Sequence, residues 1–214
     1  MTPIADGLWR WTTLYGEWGQ EVGCVYYETP DAVVLIDPLV PEEPREAARF
    51  WQALDRDVER AGAPVHVLVT VYWHARSSGE VARRYRGRLH VPSRARAAVQ
   101  RRTGAVTDVF RPGDPLPGGV QALASGRSSE VVYWLPAHRT LVPGDVLLGA
   151  DGGGLRLCPP SWLPSGVGQA DVRRTLRPLL ELPVRRVLVS HGTPVLRNAR
   201  AALERVLAAS APLS

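Results

Sequence analysis

The order in which strand-like and helix-like stretches follow one another excludes most folds for this chain. It opens with strand-like segments at Leu8–Thr13, Val22–Glu28 and Ala32–Asp37, the last two joined by the turn residues Thr29-Pro30-Asp31. Ala32-Val33-Val34-Leu35-Ile36 is apolar throughout, which predicts a strand buried on both faces. An acidic, proline-flanked start at Pro41-Glu42-Glu43-Pro44 predicts a helix running to about Ala61, with Phe50, Trp51, Leu54 and Val58 on one stripe and Gly62 ending it. Two βα units follow: strand Val65–Thr70 with helix Gly79–Tyr85, and strand Leu89–Val91 with helix Arg94–Arg102. Strands then return at Val106–Phe110, Val120–Ser125, Val131–Leu135 and Thr140–Leu148. The Gly- and Pro-rich stretch Ala150–Ser165 reads as a long loop of the kind that covers a pocket. A helix at Gln169–Glu181, a strand at Val184–Ser190 and a helix at Val195–Ala209 complete the pattern. Strand-rich, βα, strand-rich, βα is satisfied by two facing mixed sheets with helices outside, an αββα sandwich, better than by a doubly wound parallel sheet. With no linker, repeat or low-complexity tract, residues 1–214 are expected to form a single α/β domain.

Composition narrows the chemistry. At 214 residues, 45% apolar and 22% charged, the chain is long enough to bury a core without disulfides or structural metal. No apolar run approaches the ~18 residues of a membrane span, and the N-terminus lacks a basic start and apolar core, so a cytoplasmic protein without membrane partners is expected. All 26 basic residues are arginine, which excludes a P-loop lysine and a Schiff-base lysine. The net charge of +5 is spread among acidic residues. The clusters Arg83-Arg84-Tyr85-Arg86-Gly87-Arg88 and Arg101-Arg102 could meet phosphates, but solvated helix faces explain them equally well, and nucleic-acid binding is not expected. Cys24 and Cys158, far apart and in no metal-type spacing, read as buried free thiols.

Four apolar strands each stop at polar residues: Asp37-Pro38-Leu39, Thr70 to Ser78, Gly144-Asp145, and Ser190-His191-Gly192. Active sites of mixed sandwiches gather where loops leave strand ends along one edge. The series Val34-Leu35-Ile36-Asp37, Val67-Leu68-Val69-Thr70, Gly144-Asp145-Val146-Leu147-Leu148-Gly149 and Val187-Leu188-Val189-Ser190-His191-Gly192 resembles the metallo-β-lactamase superfamily over nearly the whole chain. That resemblance implies a sandwich of this kind, mostly hydrolytic activity, and one or two zinc or iron ions at the sheet edges.

The departures from that family's pattern are extensive. Its first metal motif, His-x-His-x-Asp-His after the Thr-ended strand, meets Val71, Trp73, Ala75 and Arg76 here, with His74 at a spacer position. The next ligand loop appears as Gly126-Arg127-Ser128-Ser129. Asp145 matches the bridging-aspartate position and His191 the final histidine. A catalytic zinc site takes three protein ligands and a structural one four, so the dinuclear centre is not expected. No cofactor is expected, with zinc or iron entering only through a reduced site of Asp145, His191 and His74. The expected role is a metal-free relative binding a small anionic ligand, or a protein partner, in the old cleft. The alternative is a hydrolase with a mononuclear or metal-independent site using His74, Asp145 and His191 as catalytic residues. Tyr72, Trp73, Arg76, Ser77, Arg127 and Trp162 are the candidate ligand-binding residues. Arg76 or Arg127 is expected to pair with Asp145 in place of the metals. Asp37 is expected to cap or orient its loop, and His66, His90 and His138 to be surface or strand-end residues with no partner nearby in sequence.

Overall fold

The structure is a computed structural model and describes residues 1–208. In its first sheet, β1 (Thr2–Ala5), β2 (Leu8–Tyr15), β3 (Gln20–Thr29) and β4 (Ala32–Ile36) run antiparallel. The parallel strands β5 (Val65–Leu68), β6 (Arg88–Pro92) and β7 (Asp108–Phe110) then extend it, so that β1 to β7 lie side by side in chain order. The crossovers are α1 (Pro44–Ala61), α2 (Ser78–Arg84) and α3 (Arg96–Thr103). The chain next forms β8 (Gln121–Ala124), β9 (Val131–Leu135) and β10 (Thr140–Pro143), then the ribbon β11 (Leu147–Ala150) and β12 (Gly154–Leu157). After α4 (Gln169–Leu176) come β13 (Arg186–Val187) and α5 (Ala199–Ala208). β13 pairs parallel with β10, giving a second sheet in the order β13-β10-β9-β8.

Alternation of side chains across the strands divides the core into layers. Val25, Tyr27, Val34, Ile36 and Leu68 of the first sheet pack between the sheets against Ala122, Tyr133, Leu135 and Val142 of the second. Val33, Leu35, Val67, Leu89 and Val91 point the other way, onto Phe50 and Leu54 of α1, Val81 of α2 and Val99 of α3. On the far side, Trp134, Leu141 and Val187 meet Val172 and Leu176 of α4 and Ala202, Leu203 and Val206 of α5. This helix–sheet–sheet–helix order is the αββα sandwich the sequence predicts.

Helix α1 shows how local chemistry sets the boundaries. The Glu43 carboxylate caps it by accepting from the Glu46 N–H at 2.8 Å, and Pro44 occupies the first turn, where its missing N–H costs nothing. Gly62, at φ 62°, ends the helix by donating its N–H to the Val58 carbonyl.

Several predicted elements differ. Thr140–Leu148 is two strands of different sheets, because the chain turns between Pro143 and Leu147 to place the Val146 N–H on the Glu130 carboxylate at 2.7 Å. The expected loop 150–165 contains β12, paired with β11 across an Asp151-Gly152-Gly153 turn whose glycines sit at φ 74° and 80°. Of Val184–Ser190, only β13 joins a ladder, since Ser190 crosses over to accept from the Gly23 N–H of β3 at 2.7 Å. Pro178 follows α4, and the stretch Arg177–Glu181 tightens into a 3-10 turn. The last predicted helix starts later, at Ala199, and its expected end at Ala209 lies outside the described residues. No helix among the described residues is long and apolar enough to cross a membrane.

Candidate metal centre and cleft

Two backbone seams stitch the sheets together at one edge. Thr70, just past β5, accepts from the Val131 N–H of β9 at 3.0 Å, and Val71 forms an antiparallel bridge with Glu130. Ser190 makes the second seam with Gly23. The polar strand ends therefore converge. Residues Tyr72–Ala75 wind into a 3-10 turn instead of remaining extended, with the His74 N–H on the Val71 carbonyl at 2.9 Å. That winding carries His74 inward and leaves it fully buried.

Around His74 the polar contacts are directional. Asp37 is held by the Thr70 N–H at 2.8 Å and by the Thr70 hydroxyl, and its Oδ2 takes the His74 Nδ1 at 2.9 Å. A carboxylate on Nδ1 holds a proton there and turns Nε2 toward Asp145 and His191. That face looks at Asp145 Oδ1 from 3.1 Å, and His191 Nε2 looks at the same oxygen from 3.3 Å. The other Asp145 oxygen accepts the Trp73 indole N–H at 2.6 Å. Burial works against ionisation of Asp145, yet the positive charge of His74 and the contacts with both histidines hold its carboxyl well below the usual range. Burial and Arg76 oppose protonation of His74, but Asp145 and Asp37 outweigh them and raise its pKa above the ordinary histidine value.

His74 Nε2, Asp145 Oδ1 and His191 Nε2 are all buried, and none has a hydrogen-bond partner of acceptable geometry. The three residues bring ligand atoms within 4.8 Å of one another. Two donors each about 2.05 Å from a tetrahedral zinc ion stand about 3.3 Å apart, which matches the 3.1 and 3.3 Å separations here. The donor set also has its outer support, Asp37 on one histidine and Trp73 on the carboxylate. The residues fit one divalent transition-metal ion with three protein ligands. Among the described residues no further His, Cys, Asp or Glu group of this kind is found, so a second ion has no comparable set.

The expected arginine–Asp145 pairing does not form. Arg127 instead lies 2.9 Å from Glu130 Oε2, its guanidinium stacked 4.7 Å from the centre of the Trp73 ring. Burial pushes the Glu130 carboxyl up to about 7, against the pull of Arg127. Arg76, at φ 29°, reaches the Ser190 hydroxyl at 3.4 Å and lies over the Tyr15 ring. Arg127 pairs with Glu130 and Arg76 reaches Ser190, while the Trp73 indole takes the Asp145 oxygen Oδ2.

A cleft of about 390 Å³ opens onto Asp145, walled by Trp18, Trp73, Trp162, Gln20 and Arg127. Trp73, Arg127 and Trp162 thus line it as expected from the sequence, and Trp162 also approaches His191 at 6.4 Å between ring centres. Tyr72 packs edge-on against Trp73 behind the cleft wall. Ser77 accepts from the Val40 N–H at 3.0 Å, tying two loops together rather than facing the cleft. Trp18 comes from the β2–β3 turn, Gln20 is the first residue of β3, and Glu130 immediately precedes β9, and none was expected. A tryptophan in a Gly-flanked turn (Gly16-Glu17-Trp18-Gly19) was the available signal for the first. His66 and His90, without partners nearby in sequence, meet across adjacent strands with Nδ1 and Nε2 3.0 Å apart.

No protein-family model matches the chain, and no curated protein matches it by sequence. Solved structures do. The DIM-1 metallo-β-lactamase superposes with a TM-score of 0.72 at 12% identity, covering 97% of this chain and 94% of that one. A metallo-β-lactamase from Pontibacter korlensis gives 0.69 at 16% identity, with 98% of each chain covered. The metallo-β-lactamase FIM-1 from Pseudomonas aeruginosa in its mono-zinc form gives 0.67 at 11% identity, covering 97% and 93%. The chain has the metallo-β-lactamase fold.

Proposed function

We propose that this chain is a hydrolase-type member of its fold with a reduced, single-ion centre at His74, Asp145 and His191. The observation that carries this reading is the convergence of three buried donor atoms that have no hydrogen-bond partner among the described residues. Leaving such atoms unpaired costs about 1–3 kcal/mol each, which a shared cation removes. An ion held there supplies Lewis-acid chemistry at the floor of the cleft. Asp37 keeps the His74 proton on Nδ1, and Trp73 fixes the Asp145 carboxylate plane. The three tryptophans exclude water and accept the apolar body of a small-molecule substrate. The fold relative in a mono-zinc form is a protein of this architecture in a one-ion state.

A metal-free binding protein is the second reading, and one observation favours it. Asp37 Oδ2 and Asp145 Oδ1 flank the two nitrogens of His74 at 2.9 and 3.1 Å, so an imidazolium can stand between the two carboxylates without any metal. Elemental analysis of tag-free protein after dialysis against zinc, iron and manganese separates the two. One equivalent of a tightly held ion, lost in His191→Ala, is expected. Metal below about a tenth of an equivalent, with wild type and variant alike, leaves the metal-free reading.

A further inference from the structure

On the far side of Arg127 from the tryptophan cleft lies a larger groove of about 690 Å³, formed where β6, β7 and β8 end. Its walls carry Arg94 and Arg111, both exposed and neither paired with a carboxylate among the described residues. Ser93, Ser128 and Thr175 add hydroxyls around the same space. Arg127 and Glu130 close it from below: both are buried, and Arg127 Nη1 lies 2.9 Å from Glu130 Oε2 without an aligned hydrogen bond. The groove also meets the N-terminal end of the helical stretch that starts at Ser93 and continues through α3, the end that favours anions.

Guanidinium forks and hydroxyls around one concavity match a multi-oxygen dianion better than a single carboxylate. Phosphate oxygens use several donors at once, and arginine meets them in pairs. We infer that this groove is an anion subsite that holds a phosphate or diphosphate group, with Arg94 and Arg111 as its principal contacts and Arg127 as its base. This subsite is independent of the metal centre. Arg127, stacked on Trp73, is the partition between the groove and the tryptophan cleft and contributes to the wall of each.

The test is calorimetric titration of inorganic pyrophosphate into EDTA-treated protein at constant ionic strength in chloride. Saturable binding is expected in wild type and in His191→Ala, weakened about tenfold or more in the Arg94→Ala/Arg111→Ala double variant, whose exposed sites spare the core. Absence of saturable binding, or equal binding in the double variant, overturns the assignment. Binding lost in His191→Ala places the anion at the metal centre and overturns it too. Because the protein is stripped of metal, failure of the single-ion reading leaves this result untouched.

Discussion

His74 Nε2 and Asp145 Oδ1 stand 3.1 Å apart, buried, at an angle that makes no hydrogen bond. With its other nitrogen committed to Asp37, His74 presents a lone pair to an oxygen that also carries lone pairs. A proton or a metal ion must reconcile them.

If the mediator is a metal ion, Asp37 acts on it through the imidazole. Asp37→Asn is expected to weaken zinc binding by roughly 10–100-fold while leaving all three ligands in place. Competition against a chromogenic chelator measures this. Unchanged affinity in a variant with wild-type circular dichroism removes Asp37 from that role.

Arg127 and Glu130 form a buried ion pair, where the sequence pattern predicts Arg76 or Arg127 pairing with Asp145. Removing Glu130 costs about 3–5 kcal/mol, because the Arg127 guanidinium is left charged and buried. A double-mutant cycle of Arg127→Met with Glu130→Gln should show coupling of about 1–3 kcal/mol. The same cycle with Asp145→Asn should show less. Chemical denaturation reads both, and the reverse ranking contradicts the observed pairing.

Gly144 is a steric requirement. A Cβ there would lie 2.5 Å from Glu130 Oε1 and 3.0 Å from Thr70 Oγ1, and that carboxylate oxygen is fixed by the Val146 N–H. Gly144→Ala is expected to destabilise the fold by about 1–3 kcal/mol, seen as a lower melting temperature. An unchanged melting temperature would mean that Glu130 moves aside at no cost.

Acid should loosen the protein through His90. Burial, with Arg88 and His66 nearby and Asp108 opposing, lowers its pKa to about 4. Its unfolded value is about 6.5. Between those values the unfolded chain binds a proton that the folded chain refuses, so stability is intact above pH about 6.5 and falls as the pH drops toward about 4. Melting curves across that window should fall less steeply in His90→Gln. Parallel curves for the two proteins would place the acid sensitivity elsewhere.

The sandwich was legible because apolar alternation and the caps of α1 are local signals. Asp145 and His191 were legible as polar residues at strand ends. His74 fell at a spacer position in an extended register, and only the 3-10 winding of Tyr72–Ala75 turns it inward. The partners of Arg127 depend on Glu130, three residues on, becoming the bridge partner of Val71 across the two sheets, which no local pattern encodes. The break at Gly144 was hidden for a similar reason. Residues 140–148 are β-prone on both sides of it, and the carboxylate that bends the chain belongs to another strand.

The two sheet seams divide the site into unequal halves. Asp37, Asp145 and His191 are placed by strand ends and cross-sheet backbone bonds, so the scaffold supplies them whatever the loops contain. Residues 71–76, by contrast, form one short turn anchored at each end, by Val71 on Glu130 and by Arg76 on Ser190. The third donor of this edge, His74, thus depends on a single six-residue turn, whose Tyr72 and Ala75 are themselves packed into the helix-side core of the first sheet.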